Sequence, residues 1–230
     1  AMRRLHFVKL ATGSAVSLAA RPLLATPARQ PRVLVRSAWQ SVNIGDIAHT
    51  PGALRLLERH FPEAEIVLWP RNLEFGAREL LVQAFPKVRF VDGVIDRAGK
   101  PSTPELTRAF ADCDIAVHAS AAHFSASADF AAWKKLTGKP YGVLGITFDP
   151  VSGMGGERSA EGGTLAQLRT AMEKLPPSRL DSALRGLLDG AAFLFLRDTL
   201  SLETARHLGV KARVLEFGPD TVFSFDLRDD

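Results

Sequence analysis

PRVLVRSAWQSVNIGDIAHTPGALRLLERHFPEAEIVLWP, residues 31–70, contains one complete unit of the expected fold. Residues 31–37 are a short β-branched run behind a proline, the pattern of a buried first strand. A polar loop over residues 40–47 leads to a helix predicted over residues 51–60. In that helix Ala53, Leu54, Leu57 and Phe61 recur on one face, and Pro62 closes it. Residues 65–69 form the second strand. A connection of this length is no hairpin, so the two strands are expected to run parallel through a right-handed crossover.

Working outward, the unit repeats. Strands are predicted over residues 88–91, 114–118, 141–147, 193–196 and 212–217. Helices are predicted over 77–85, 104–111, 127–136, 165–175, 180–188 and 200–208, with Thr103 as an N-cap and Gly209 as a stop. Residues 153–163 are glycine-rich, lack apolar periodicity, and read as a solvated connector or a lid. The expectation is an α/β domain over residues 31–230: a doubly wound parallel sheet with flanking helices. Ligands of such sheets collect beyond the carboxyl ends of the strands. That rule singles out the loops after Ser37, His118, Thr147 and Arg197.

The totals exclude several alternatives. The 230 residues are 46% hydrophobic and 23% charged, enough to bury a large core. Cys113 is the single cysteine, so the chain forms no internal disulfide, and no Cys/His cluster has zinc-ligand spacing. A pI near 9.5 invites a nucleic-acid reading. Residues 1–30, however, hold Arg3, Arg4, Lys9, Arg21 and Arg29 and no acid, which leaves 24 bases against 25 acids for the rest. The body is near neutral, without the basic stripe that phosphate-backbone binding needs.

The basic character belongs to that leader. A charged start, a mildly apolar run over residues 10–20 and small residues beyond it match a signal peptide, and Arg3-Arg4 matches the twin-arginine kind. The expectation is export to the periplasm or cell envelope, with the leader dispensable for folding; the alternative is a basic amphipathic helix on a cytoplasmic protein. No run reaches the roughly 18–20 apolar residues that span a bilayer.

Three constellations carry candidate chemistry. Asn43-Ile44-Gly45-Asp46 follows the first strand: the glycine permits a tight turn, and Asp46 either takes a proton from a sugar hydroxyl or caps its helix. After the fourth strand come His118, Ser120 and His123, where protonated imidazoles suit a phosphate or carboxylate; otherwise one histidine is buried and one is a surface group. After the sixth strand, Arg197-Asp198-x-x-Ser201 offers a guanidinium that forks onto an anion or pairs with a nearby acid.

Taken in series, Asn43-x-Gly45-Asp46, Arg197-Asp198-x-x-Ser201, His207-Leu208-Gly209-Val210 and Gly218-Pro219-Asp220 before Val222-Phe223 resemble the polysaccharide pyruvyl transferase family, across roughly residues 32–225. The resemblance implies two Rossmann-like halves arranged as in GT-B glycosyltransferases, of which this chain covers one. It implies transfer of the enolpyruvyl unit of phosphoenolpyruvate to two hydroxyls of a sugar as a cyclic ketal, with release of phosphate. Phosphoenolpyruvate is the donor, no cofactor is expected, and the partner is a polysaccharide or glycan acceptor. In that scheme Asp46 handles the acceptor hydroxyl, Arg197, His118 and His123 face the donor, and Asn43, Gly45, Ser120 and Ser201 line the site. Two departures stand out: His118 to His123 replace a glycine-rich turn, and a C-terminal domain or a second copy would have to supply the other half. Two further readings remain open. One is a GT-B-type glycosyltransferase using a nucleotide-sugar. The other is a non-catalytic exported carbohydrate-binding domain, which the leader favours because phosphoenolpyruvate is cytoplasmic.

Overall fold

A computed structural model describes residues 29–149 and 165–225. The strands are β1 (Arg32–Ser37), β2 (Glu65–Pro70), β3 (Arg89–Phe90), β4 (Ile115–His118), β5 (Tyr141–Ile146), β6 (Phe193–Leu196) and β7 (Leu215–Phe217). They form one sheet in the order β3-β2-β1-β4-β5-β6-β7, every pair parallel. The chain winds outward from β1 to β3, then returns to β4 and winds the other way. The expected doubly wound parallel sheet is therefore observed, with its switch point between β1 and β4.

The helices are α1 (Ile44–His60), α2 (Ala77–Ala84), α3 (Pro104–Asp112), α4 (Ser127–Thr137), α5 (Leu165–Glu173), α6 (Ser182–Asp189) and α7 (Thr199–His207). Successive strand residues point to opposite faces, and both faces are covered. Leu34, Val67, Trp69, Ala116, Val143 and Leu194 pack on one side with residues of α3, α4, α6 and α7. Val33, Val35, Leu68, Val117, Phe193 and Phe195 pack on the other with α1 and α2. Side-chain caps from Thr103, Asp181 and Asp198 to backbone N–H groups start α3, α6 and α7.

Three kinds of departure from expectation stand out. Helix α1 starts at Ile44, capped by Asn43, seven residues before the predicted start at Pro51. Pro51 lies inside the helix, where its nitrogen gives no bond to Ile47 O. Strands β3 and β7 are shorter than predicted, two and three residues. The third difference is Arg29, assigned to the leader by sequence, which pairs with Asp114 (Nη1–Oδ2 3.0 Å) beside the start of β1. The leader up to residue 28 and the glycine-rich stretch 153–163 lie outside the described residues. Among the described residues no helix is long and apolar enough to cross a membrane.

After the edge strand β7 the chain turns back across the carboxyl ends of its neighbours. Gly218 N–H donates to Leu196 O on β6, and the Thr221 N–H donates to Ser120 Oγ just past β4. Thr221 Oγ1 then donates to His49 O on α1, and the 3-10 turn Thr221–Ser224 ends the crossing. Two glycines make room for this strap. A Cβ on Gly145 would sit 2.5 Å from Ser120 Oγ and 3.1 Å from Pro219 O, and Gly145 already has φ +61°. A Cβ on Gly52 would sit 2.0 Å from Thr221 O.

Candidate functional site

The site grows from the end of β1. Ala38 takes a left-handed backbone (φ 58°), a conformation that costs a non-glycine residue about 1 kcal/mol. It is held there by Thr50 Oγ1, which accepts from Ala38 N–H and bonds Ser37 Oγ, both at 2.8 Å. The reversal sends Trp39 across the switch point, where its indole N–H donates to Ser120 O at 2.8 Å. The chain then enters α1, where Asn43 Oδ1 accepts from Gly45 N–H (3.0 Å). Asp46 lies in the first turn, where a negative charge is favoured. It accepts a hydrogen bond from Gln40 Nε2, and its side chain is 18% exposed.

One turn on, His49 is buried. Its Nδ1 lies 3.7 Å from Asp46 Oδ1, and its Nε2 lies 3.1 Å from Asp220 Oδ2 on the strap. Asp220 Oδ2 also accepts from Arg197 Nη1 at 2.7 Å, while Arg197 Nε donates to Thr147 Oγ1 at 2.8 Å. Burial pushes the Asp220 carboxyl up, but bonds from His49, the Val222 N–H and Arg197 outweigh it and hold the group at about 2. Asp220 is thus an anion under ordinary conditions. A line of polar neighbours runs from Gln40 through Asp46, His49, Asp220 and Arg197 to Thr147, with a 3.7 Å gap between Asp46 and His49.

The predicted residues fall into two groups. Asp46 and Arg197 belong to the polar line, and Ser120 is tied to it through the strap, accepting from Thr221 N–H at 2.9 Å and donating to Leu144 O at 3.1 Å. Asn43 and Gly45 shape the entry to α1. The others stand apart. His118 is fully buried, stacked on Trp39 at 4.6 Å between ring centroids and flanked by Phe124 and Phe130. Burial pushes its ring down to about 3, so it is neutral and presents nothing to the rim. Of the two readings of this loop, the buried histidine is the one observed, and the protonated donor-binding role of His118 is corrected on that ground. His123 is exposed in the same loop. Ser201 is buried; its hydroxyl donates to Asp198 Oδ2 (2.6 Å) and accepts from Phe148 N–H (2.8 Å), fixing the loop after β5.

Sequence reasoning passed over His49, Trp39 and the role of Asp220. A signal for His49 existed: three residues after Asp46, it shares a helix face with it once α1 starts at Ile44. Placing the start at Pro51 hid that relation. Asp220 was visible within Gly218-Pro219-Asp220, but nothing local says that this turn crosses the sheet.

Chemically, the rim offers a partly exposed carboxylate, a guanidinium and a buried imidazole between two carboxylates. That combination suits proton transfer at a hydroxyl beside an anionic group. A model of the polysaccharide pyruvyl transferase family matches residues 43–230. No curated protein sequence matches the chain. Among solved structures, it is similar to HepE of Anabaena in complex with UDP and glucose, with a TM-score of 0.45 and 14% identity over 83% of this chain and 44% of that one. It is also similar to a UGT transferase from Siraitia grosvenorii in complex with UDP, with a TM-score of 0.43 and 9% identity over 86% of this chain and 52% of that one. The chain spans about half the length of these proteins.

Proposed function

The chain belongs to the polysaccharide pyruvyl transferase family, and from that membership we propose that it transfers the enolpyruvyl group of phosphoenolpyruvate to a sugar of a cell-surface polysaccharide. In this reaction the donor's methylene takes a proton and its C2 becomes cationic. Two sugar hydroxyls add there in turn, each losing its proton, and the C–O bond to phosphate breaks to leave the cyclic ketal.

The observation that carries the reading is the link between Asp46 and Arg197 through His49 and Asp220, at the switch point of the sheet. Asp46 is placed to take a proton from an acceptor hydroxyl. Arg197 supplies positive charge for the donor's phosphate or carboxylate, in competition with Asp220. His123 adds a second donor from the loop after β4. His118, under Trp39, supports the loop and touches no substrate.

The test is release of phosphate from phosphoenolpyruvate by the full chain, dependent on added glycan. Asp46→Ala and Arg197→Ala are each expected to cost about a hundredfold or more in rate; Asp46→Ala should change the melting temperature little, whereas Arg197→Ala should lower it, because Asp220 loses one of its partners. Release of nucleotide from a nucleotide-sugar instead would make the protein a glycosyltransferase. The Arg3-Arg4 leader supports a second reading, an exported domain that binds glycans without turnover; saturable glycan binding with no phosphate release would favour it.

A further inference from the structure

His49 stands where a proton acceptor behind Asp46 would stand. Asp220 is an anion and accepts only, so the proton in the 3.1 Å contact belongs to His49 Nε2. In the neutral ring Nδ1 then carries a lone pair. It faces Asp46 Oδ1 at 3.7 Å, too long for a hydrogen bond, and among the described residues this buried nitrogen has no partner. In that neutral state two acceptors face each other with no proton between them. The opposite oxygen of Asp46 is already served by Gln40.

We propose that His49 is a positioning residue for the transfer reaction: held by Asp220, its bare Nδ1 receives the proton that Asp46 takes from the acceptor hydroxyl. The inference rests on the reading of Asp46 as the base. The O–H bond of the sugar breaks as its oxygen attacks the donor carbon, and the proton arrives on Asp46 Oδ1. There it bridges to Nδ1 and turns the 3.7 Å gap into a hydrogen bond. The imidazolium character that develops is compensated by Asp220, and the proton then leaves to the departing phosphate or to water. The other titratable or charged groups around the ring are Arg197 at the end of β6, which is paired with Asp220, and His118 on β4, which is uncharged. The same residue anchors the strap, its ring through Asp220 and its backbone carbonyl by accepting from the Thr221 hydroxyl. Base and anion clamp are therefore held at one spacing by one side chain.

The first experiment needs no substrate. Nitrogen NMR of the full chain with labelled histidine is expected to show His49 protonated on Nε2 and bare on Nδ1 at pH 7–8. A proton on Nδ1, with Nε2 bare or also protonated, overturns the inference. The second uses His49→Gln, whose amide reaches Asp220 but offers Asp46 no basic lone pair. Fast exchange of the Thr221 and Val222 amides in this variant would mark a loosened strap, and His49→Asn then serves as the parallel variant. The turnover number is expected to fall tenfold or more with KM values within threefold, and the acid limb of the pH–rate profile to move to lower pH. An unmoved limb with parent-like turnover overturns the inference. If Asp46→Ala has also kept its activity, the reading of Asp46 fails with it; if Asp46→Ala is inactive, only the role of His49 falls.

Discussion

Asp220 and His49 are 171 positions apart in the chain, yet their side chains meet at 3.1 Å, one on the strap behind β7 and one in α1. The contact ties the last described turn of the chain to its first helix, directly over the sheet's switch point. It also leaves a charged group whose protonation is linked to stability.

Acid should reveal that link. The folded carboxyl of Asp220 sits at about 2, below the ordinary value of 3.8. The unfolded chain therefore binds the proton more readily, so the stabilisation is complete above about pH 4 and is lost as pH falls through 2. The effect is on the order of 1–2 kcal/mol. Urea unfolding of the parent and of Asp220→Asn across pH 2.5–6 is expected to show the steeper acid loss in the parent. Parallel curves would mean that the strap's ion pairs do not survive in solution.

His118 predicts a second, separate pH window. Its ring is held at about 3 by burial, while an exposed histidine titrates near 6.5. The unfolded state takes up the proton first as pH falls, so stability is full above about 6.5 and drains away toward 3, by a few kcal/mol in all. His118→Phe fits among Trp39, Phe124 and Phe130 and is expected to flatten the fall between pH 6.5 and 4. Its turnover should stay within threefold of the parent; a larger loss would return His118 to the chemistry.

Gly52→Ala sets two magnitudes against each other. Alanine in a helix interior normally gains about 1 kcal/mol over glycine. Here the new methyl would lie 2.0 Å from the backbone oxygen of Thr221, a contact that cannot yield without moving the strap. A net loss of about 2 kcal/mol or more is expected, with faster amide exchange at residues 221–223. A raised melting temperature would show that the strap does not press on α1.

Beneath the site, Arg36 and Asp129 form an ion pair at 2.7 Å with side chains 8% and 16% exposed, the guanidinium also lying 4.4 Å from the Trp69 ring centroid. Asp129→Ala leaves a buried cation unpaired and is expected to cost about 3 kcal/mol or more. Arg36→Met combined with Asp129→Leu is expected to recover most of that loss, because it removes both charges together. Chemical denaturation of the two variants and the parent decides it.

Local pattern was sufficient for the architecture. All seven strands and all seven helices described here were legible as β-branched runs alternating with amphipathic ones, and connections of that length leave a parallel sheet as the outcome. The family, too, was legible in the spacing of short motifs around Asp46, Arg197 and Asp220. The use of the residues was decided by the tertiary structure alone. His118 and His123 are five positions apart in one loop, but Trp39, swung over by the left-handed Ala38, closes above the first and leaves the second outside. His49 gained Asp220 only because β7 ends at the sheet's edge and the chain returns over the strand ends. Parallel strands bring all their carboxyl ends to one rim whatever their distance in sequence. Which side chains meet there depends on how the later segments cross that rim, and no local periodicity encodes a crossing.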